Sequence, residues 1–423
     1  MIEPVAGRRR LAASYLVLAG GDALAKALSF VAYALVLSRR LGDGAYGALE
    51  SALGTAFVAS LIAEGGLAAY GTRALATAPD DGARLLAGLG ALRMRLTAVS
   101  AGGLLTYAAL ADLPPTVATL TRWYALTLVP YAFLSEWFFQ ARHEPAWVAA
   151  PQVARATALL IGATALVRDV DDAWIVPVCD AAGFLVGAAL QRALAGRRAG
   201  PPTADAPPLR IRDVFRASAP ALTSGVFWAL RMFGPVVAAG VLLAGDARDR
   251  FGAVHRLFIS AHALVLFYFL NLLPGWARLA RDHGAAALRR AAVRSAVGSV
   301  VAATGAIAVA ELSARASGGD AASTGLRLLF GPRFAEAAPA LRIAVACWLL
   351  TLLEGHLRFG LVAAGRLGLD ALANAAGAVA AAAWLLFTQP DEPSGMAGVL
   401  AAGCVATAAA GVVASAWRSR PRA

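Results

Sequence analysis

Long apolar runs alternate along the chain with short polar breaks that carry most of the arginines. A helix needs about 20 mostly apolar residues to cross a bilayer, and about twelve runs approach that length. In the first half they centre on residues 11–37, 44–68, 94–112, 116–140, 145–167 and 173–193. In the second half they centre on 217–243, 251–275, 291–312, 338–363, 369–389 and 395–417. The longest interior polar connection, Gln191 to Arg216, is rich in proline and arginine and reads as a linker. The pattern predicts an all-α polytopic membrane protein with about twelve transmembrane helices in two six-helix bundles. Residues 1–195 form the first bundle, 196–212 a cytoplasmic linker and 213–423 the second.

An internal echo supports two related halves. At one constant offset, without gaps, Tyr46-Gly47-Ala48 falls on Phe251-Gly252-Ala253, Arg73 on Arg278 and Arg84 on Arg289. The expected architecture is therefore a pseudo-two-fold repeat of six spans.

Composition agrees with the bilayer. Of 423 residues, 59% are hydrophobic and only 15% charged, too little polar surface for a water-soluble globule of this size. Basic residues outnumber acidic ones, 38 to 26, and Lys26 is the one lysine. They sit between the apolar runs, where they orient a chain in the membrane rather than bind nucleic acid. With the N-terminus inside, the loop lysine and arginine residues favour the cytoplasmic side by roughly three to one, which places both termini in the cytoplasm. Arg8-Arg9-Arg10 precedes an apolar run too long for a signal-peptide core, so the first span is expected to be retained. The longest outer loop, Ser313 to Ala337, contains LRLLFGPRF and is expected to hold a short interfacial helix.

Ionisable groups inside spans cost free energy and usually face a bundle interior or a wet cavity. The first half places Asp22, Lys26, Glu50, Arg122, Glu136, Arg155 and Asp180 there; the second places Arg231, His255, Arg256, His262, Arg342, Glu354, His356 and Arg358. Under the repeat, the charge-bearing spans 1, 2 and 4 match 7, 8 and 10. Asp22 with Lys26, and Glu354 with Arg358, are spaced i, i+4; they either neutralise each other on one helix face or serve transport. Arg231 stands in mid-span with no acid within a helical turn, which marks a site rather than a strut. Arg155 has Asp180 as an equally good structural partner. Arg122 and Arg342 lie near outer ends and can snorkel.

Cys179, Cys347 and Cys404 fall inside apolar runs without metal-ligand or disulfide spacing. No phosphate-binding P-loop, H-E-x-x-H or G-x-S-x-G motif is present, so neither a cofactor nor a metal is implied. An enzyme is the weaker reading.

Several segments together resemble a known family: LVLSRRLGDGAYGAL, EWFFQAR, FGAVHRLF, LLPGWARLARD, LRLLFGPRFAEAAPALRI and LVAAGR, in that order. They are similar to the polysaccharide flippases of the multidrug/oligosaccharidyl-lipid/polysaccharide exporter superfamily. The resemblance implies two six-helix bundles around a cavity that opens to either side of the inner membrane. It also implies a substrate, an oligosaccharide joined through pyrophosphate to a polyprenol lipid, with cavity cations holding the pyrophosphate. Lys26, Arg231 and Arg256 fit that role, with Arg155 and Arg358 as further cations. Asp22, Glu50, Glu136, Asp180, His255, His262 and Glu354 are candidates for coupling or gating.

The expected function is lipid-linked glycan export by alternating access in the cytoplasmic membrane. Expected partners are membrane lipids, a glycan polymerase and glycosyltransferases. The alternatives are a drug or metabolite antiporter of the same architecture, a membrane glycosyltransferase or polymerase, and a scaffold for glycan-synthesis enzymes.

Overall fold

The computed structural model describes residues 5–200 and 209–416, and every regular element among them is helical. Nine helices among the described residues are long and apolar enough to cross a membrane. The centre of the expected linker, 201–208, lies outside the described residues. The chain divides into two compact units, residues 1–41 with 55–222, and 42–54 with 223–423. The units do not coincide with the bundle bounds drawn from the sequence, because residues 42–54 belong to the second unit and residues 213–222 to the first.

In the first unit, α1 (Val5–Phe30) continues through a wide turn, Val31–Leu37, to Arg40. The remaining helices are α2 (Ala45–Glu64), shared at its boundary with the second unit, α3 (Leu67–Thr77), α4 (Gly82–Leu110), α5 (Pro115–Tyr131), α6 (Glu136–Ala141), α7 (Pro145–Ala165) and α8 (Ile175–Arg198). Helix α7 packs against both α1 and α8, and α5 packs against α4 and α8. Gly183 permits the α7–α8 approach, since a Cβ there would lie 2.5 Å from the Arg155 Cα. Arg40 closes the far end of α7, where its Nη1 donates to the carbonyls of Ala163, Thr164 and Val167. At the other end, Leu67, Leu85, Leu89, Trp137, Phe138 and Phe139 belong to one apolar cluster. The expected span 116–140 is corrected here: Pro130 lies in the last turn of α5, and residues 132–135 leave the helix before α6 begins.

The second unit holds α9 (Ile211–Leu242) from Thr223 onward, α10 (Gly245–Ala316), α11 (Ala321–Leu329), α12 (Ala338–Ala363), α13 (Leu367–Thr388) and α14 (Pro393–Ala416). Helix α10 is not a straight rod. Gly284 leaves helical geometry with φ 77°, and the Tyr268 hydroxyl lies 2.6 Å from that of Ser295. A straight helix would hold those residues about 40 Å apart at 1.5 Å per residue, so α10 is a hairpin of two arms. The expected spans 251–275 and 291–312 are those arms. Only glycine adopts φ 77° without strain. The short helix expected between Ser313 and Ala337 is present as α11, with Leu326 buried and Leu328 exposed.

The two echoed motifs meet in this unit. Gly252 approaches so closely that its Cβ would lie 3.1 Å from the Gly47 Cα, and a Cβ at Gly47 would collide with the Arg248 carbonyl. Backbone cannot yield as a side chain can. Gly47→Ala is therefore expected to cost roughly 1–3 kcal/mol, seen as a lowered Tm in detergent. Gly225→Ala, where a Cβ meets nothing within 4 Å, is the control and should be neutral or stabilising.

Candidate functional site

In both units most of the charged groups singled out from the sequence assemble as pairs, whereas Arg122 donates to the Ala108 carbonyl at 3.2 Å. In the first unit, Lys26 Nζ lies 2.6 Å from Asp22 Oδ2 along α1, the side chains 38% and 29% exposed. Arg155 on α7 reaches across to Asp180 on α8 at 3.4 Å and also donates to the Ser29 hydroxyl. Asp180 is 2% exposed, so this arginine is what offsets its buried charge. Glu136 opens α6 half-buried and accepts from Gln152 at 3.5 Å.

The second unit carries a longer chain of charge. Arg231 grips both oxygens of Glu354 at 2.5 and 3.1 Å, the two side chains 0% and 1% exposed. Arg358, one turn beyond Glu354 on α12, lies 3.7 Å from it and donates from Nε to Asp370 on α13 at 2.7 Å. Asp370 accepts from the Ser224 hydroxyl, which in turn accepts from Asn374. The order Asp370, Arg358, Glu354, Arg231 alternates in sign and sums to zero, the composition a low-dielectric interior tolerates. Gly377 and Gly403 let the Arg231 stem pass, with a Cβ on either within 3.0 Å of it.

Arg256 makes a separate fork onto Glu50, with Nε and Nη2 each 2.8 Å from a carboxylate oxygen. Bidentate geometry of this kind is specific to arginine. Beside it, the His255 Nε2 lies 3.0 Å from the Met232 carbonyl, and His262 stacks on Phe258 and faces Thr351 at 3.4 Å. His356 has Nδ1 on the Leu352 carbonyl and Nε2 within 3.2–3.4 Å of the Tyr268, Ser295 and Ser299 hydroxyls.

At the end of the second unit where α2 and α10 begin, Asp249 receives the Gly47 N–H at 2.8 Å and the Gly44 N–H at 3.4 Å, with Arg333 at 3.3 Å. Tyr46, Phe330 and Phe334 pack edge-on beside it. The carboxylate caps the start of α2 from outside that helix. Burial outweighs these donors and pushes the Asp249 carboxyl up to about 6. The unfolded acid titrates near 3.8, so the protonated form stabilises the fold below that pH and the gain is lost as pH rises through about 6. Stability of the wild type is expected to fall over that window, and Asp249→Asn should flatten the dependence in melts between pH 4 and 7.

Residues 11–271, more than half of the chain, match the family described as polysaccharide biosynthesis protein. The chain belongs to that family. No curated protein sequence matches it. Solved structures share the fold of this polysaccharide biosynthesis protein at low identity. Lipid II flippase MurJ in an inward closed conformation matches with TM-score 0.68 and 11% identity, over 95% of this chain and 86% of that one. An inward-facing multidrug resistance transporter of the MATE family, in the MOP superfamily, matches with TM-score 0.67 and 12% identity, over 95% and 97%. A MOP superfamily transporter from Pyrococcus furiosus matches with TM-score 0.61 and 13% identity, over 96% and 93%. The protein is thus a multi-pass membrane protein with the fold of these transporters.

For this family member, the i, i+4 pairs expected from the sequence both form, as does Arg155 with Asp180. The expectation of Arg231 as an unpaired cation is corrected, because Glu354 arrives from α12, far away in sequence. Asp370, Ser224 and Asn374 went unread. Their one signal was an acid at the start of an otherwise uncharged span, which is also what an ordinary helix N-terminus shows. Arg93 and Arg192 were likewise passed over, as loop arginines.

Proposed function

We propose that the protein is a flippase for a polyprenyl-pyrophosphate-linked oligosaccharide, supplying cell-surface polysaccharide synthesis across the cytoplasmic membrane. The observation that carries this reading is that Lys26, Arg155, Arg231, Arg256 and Arg358 each rest on a carboxylate. A pyrophosphate presents more oxygens and more charge than a carboxylate and displaces it from a guanidinium or ammonium. Each pair is then a resting state that substrate opens. In the first unit Lys26 and Arg155 offer partly exposed cations, and in the second Arg256 and Arg358 do so, each 12% exposed. Arg231 has no exposed surface and acts by holding Glu354, and through it Arg358. Glu50, Asp22, Asp180 and Glu354 retake their cations when substrate leaves, and a proton on any of them frees its partner. Family membership and the fold shared with a lipid II flippase support the lipid-linked substrate.

The test is translocation of a fluorescent polyprenyl-pyrophosphate oligosaccharide in proteoliposomes. Transport that depends on Arg256 supports the reading. Export of a cationic dye without glycan transport would favour the antiporter, the reading that the MATE likeness supports.

A further inference from the structure

A cavity of about 240 Å³ opens in the first unit, and no member of the ion pairs described above lines it. It lies among α4, the break after α5, the start of α6 and the end of α8. Its charged lining groups are Arg93 and Arg192, and its walls include Leu89, Met94, Phe133 and Trp137. The loop charge count assigns this end to the cytoplasm. An interfacial arginine normally snorkels to water. Arg93 does not: it is 5% exposed, its Nη1 donates to the Leu134 carbonyl at 2.8 Å, and its Nε is buried without a hydrogen-bond partner. Its guanidinium lies 5.3 Å over the Tyr131 ring, and Glu136 is the acid that feels its charge while accepting from Gln152. Arg192 is exposed, donates one N–H to the Leu86 carbonyl at 3.3 Å and lies over Gly90, where a Cβ would sit 3.5 Å from its Nη1.

A buried donor left without an acceptor costs free energy and calls for an explanation. Here the explanation is a ligand. Two guanidinium groups are each tethered by one carbonyl, so their remaining donors stay available for a multi-oxygen anion. No carboxylate lines the cavity among the described residues. Phosphate fits that donor set better than a carboxylate does, because it accepts from two forks at once. The volume equals several waters at about 30 Å³ each, enough for a phosphoryl group and the first atoms of its ester. We propose that this pocket is a phosphoryl-binding site, filled by the phosphate of an anionic lipid headgroup or by a free phosphate. Aliphatic and aromatic walls beside a cationic mouth are what a lipid phosphate at the membrane boundary meets.

Binding is read without transport, so the outcome does not depend on the flippase reading. The full-length protein in neutral detergent is titrated with phosphatidylglycerol and, separately, with inorganic phosphate, following the rise in Tm and, for the lipid, retention in native mass spectrometry. Arg192→Gln leaves a surface position and should fold normally; Ala87→Trp fills the mouth without removing charge. Arg192→Gln is expected to weaken binding about tenfold or more, the loss of one charge-assisted contact set, and Ala87→Trp to weaken it as much by occupying the space. A response to phosphatidylglycerol alone identifies a lipid headgroup as the source, and a response to inorganic phosphate identifies a free phosphate; either supports the site. Equal affinity for both ligands in the wild type, Arg192→Gln and Ala87→Trp would overturn it.

Discussion

Replacing Arg231 with alanine is expected to destabilise the second unit by about 3–5 kcal/mol, the cost of stranding one member of a buried ion pair. Glu354 is 1% exposed and loses both donors of its fork. Arg358 at 3.7 Å is already committed to Asp370 and compensates little. Removing the carboxylate as well should reverse the loss. Apolar replacement of a whole buried pair is often neutral or stabilising, so Arg231→Met with Glu354→Leu is expected to melt near the wild-type Tm. The cycle of single and double variants, measured as Tm in detergent, isolates the pair. Transport then separates two roles. If Arg231 acts only by positioning, a double variant that folds should still export glycan at a reduced rate. Complete loss in a well-folded double variant would assign Arg231 direct contact with substrate.

Arg256→Ala is expected to reduce glycan transport by about tenfold to a hundredfold, from the 1.5–3 kcal/mol that a hydrogen bond to a charged group carries. Arg256 is the cation whose fork is already formed, on Glu50 at 2.8 and 2.8 Å, and the same two donors match two phosphate oxygens. Arg256→Lys keeps the charge and loses the fork, so it should fall between. Glu50→Gln keeps the arginine and removes its competitor. Transport should persist in that variant, with apparent substrate affinity unchanged or tighter. Wild-type transport by Arg256→Ala, with Arg256 absent from the protein and the fold intact, would remove the pyrophosphate role.

The membrane class, the helical content and most span positions followed from hydrophobic run length, because a bilayer imposes one length on every crossing element. Pairs along one helix were equally legible, as Asp22 with Lys26 and Glu354 with Arg358, because a helical turn fixes which residues are neighbours. Family resemblance was readable in short segments whose order was kept. Tertiary structure alone decided the rest. It brought Glu354 to Arg231 and Glu50 to Arg256, turned α10 back on itself at Gly284, and seated Gly47 against Gly252. It also separated a buried Arg93 with an unpartnered Nε from the loop arginines it resembles in sequence. The reason is physical. Hydropathy is summed along the chain, so it survives in one dimension; charge complementarity acts over a few ångströms in space, and only packing decides which distant residues come that close.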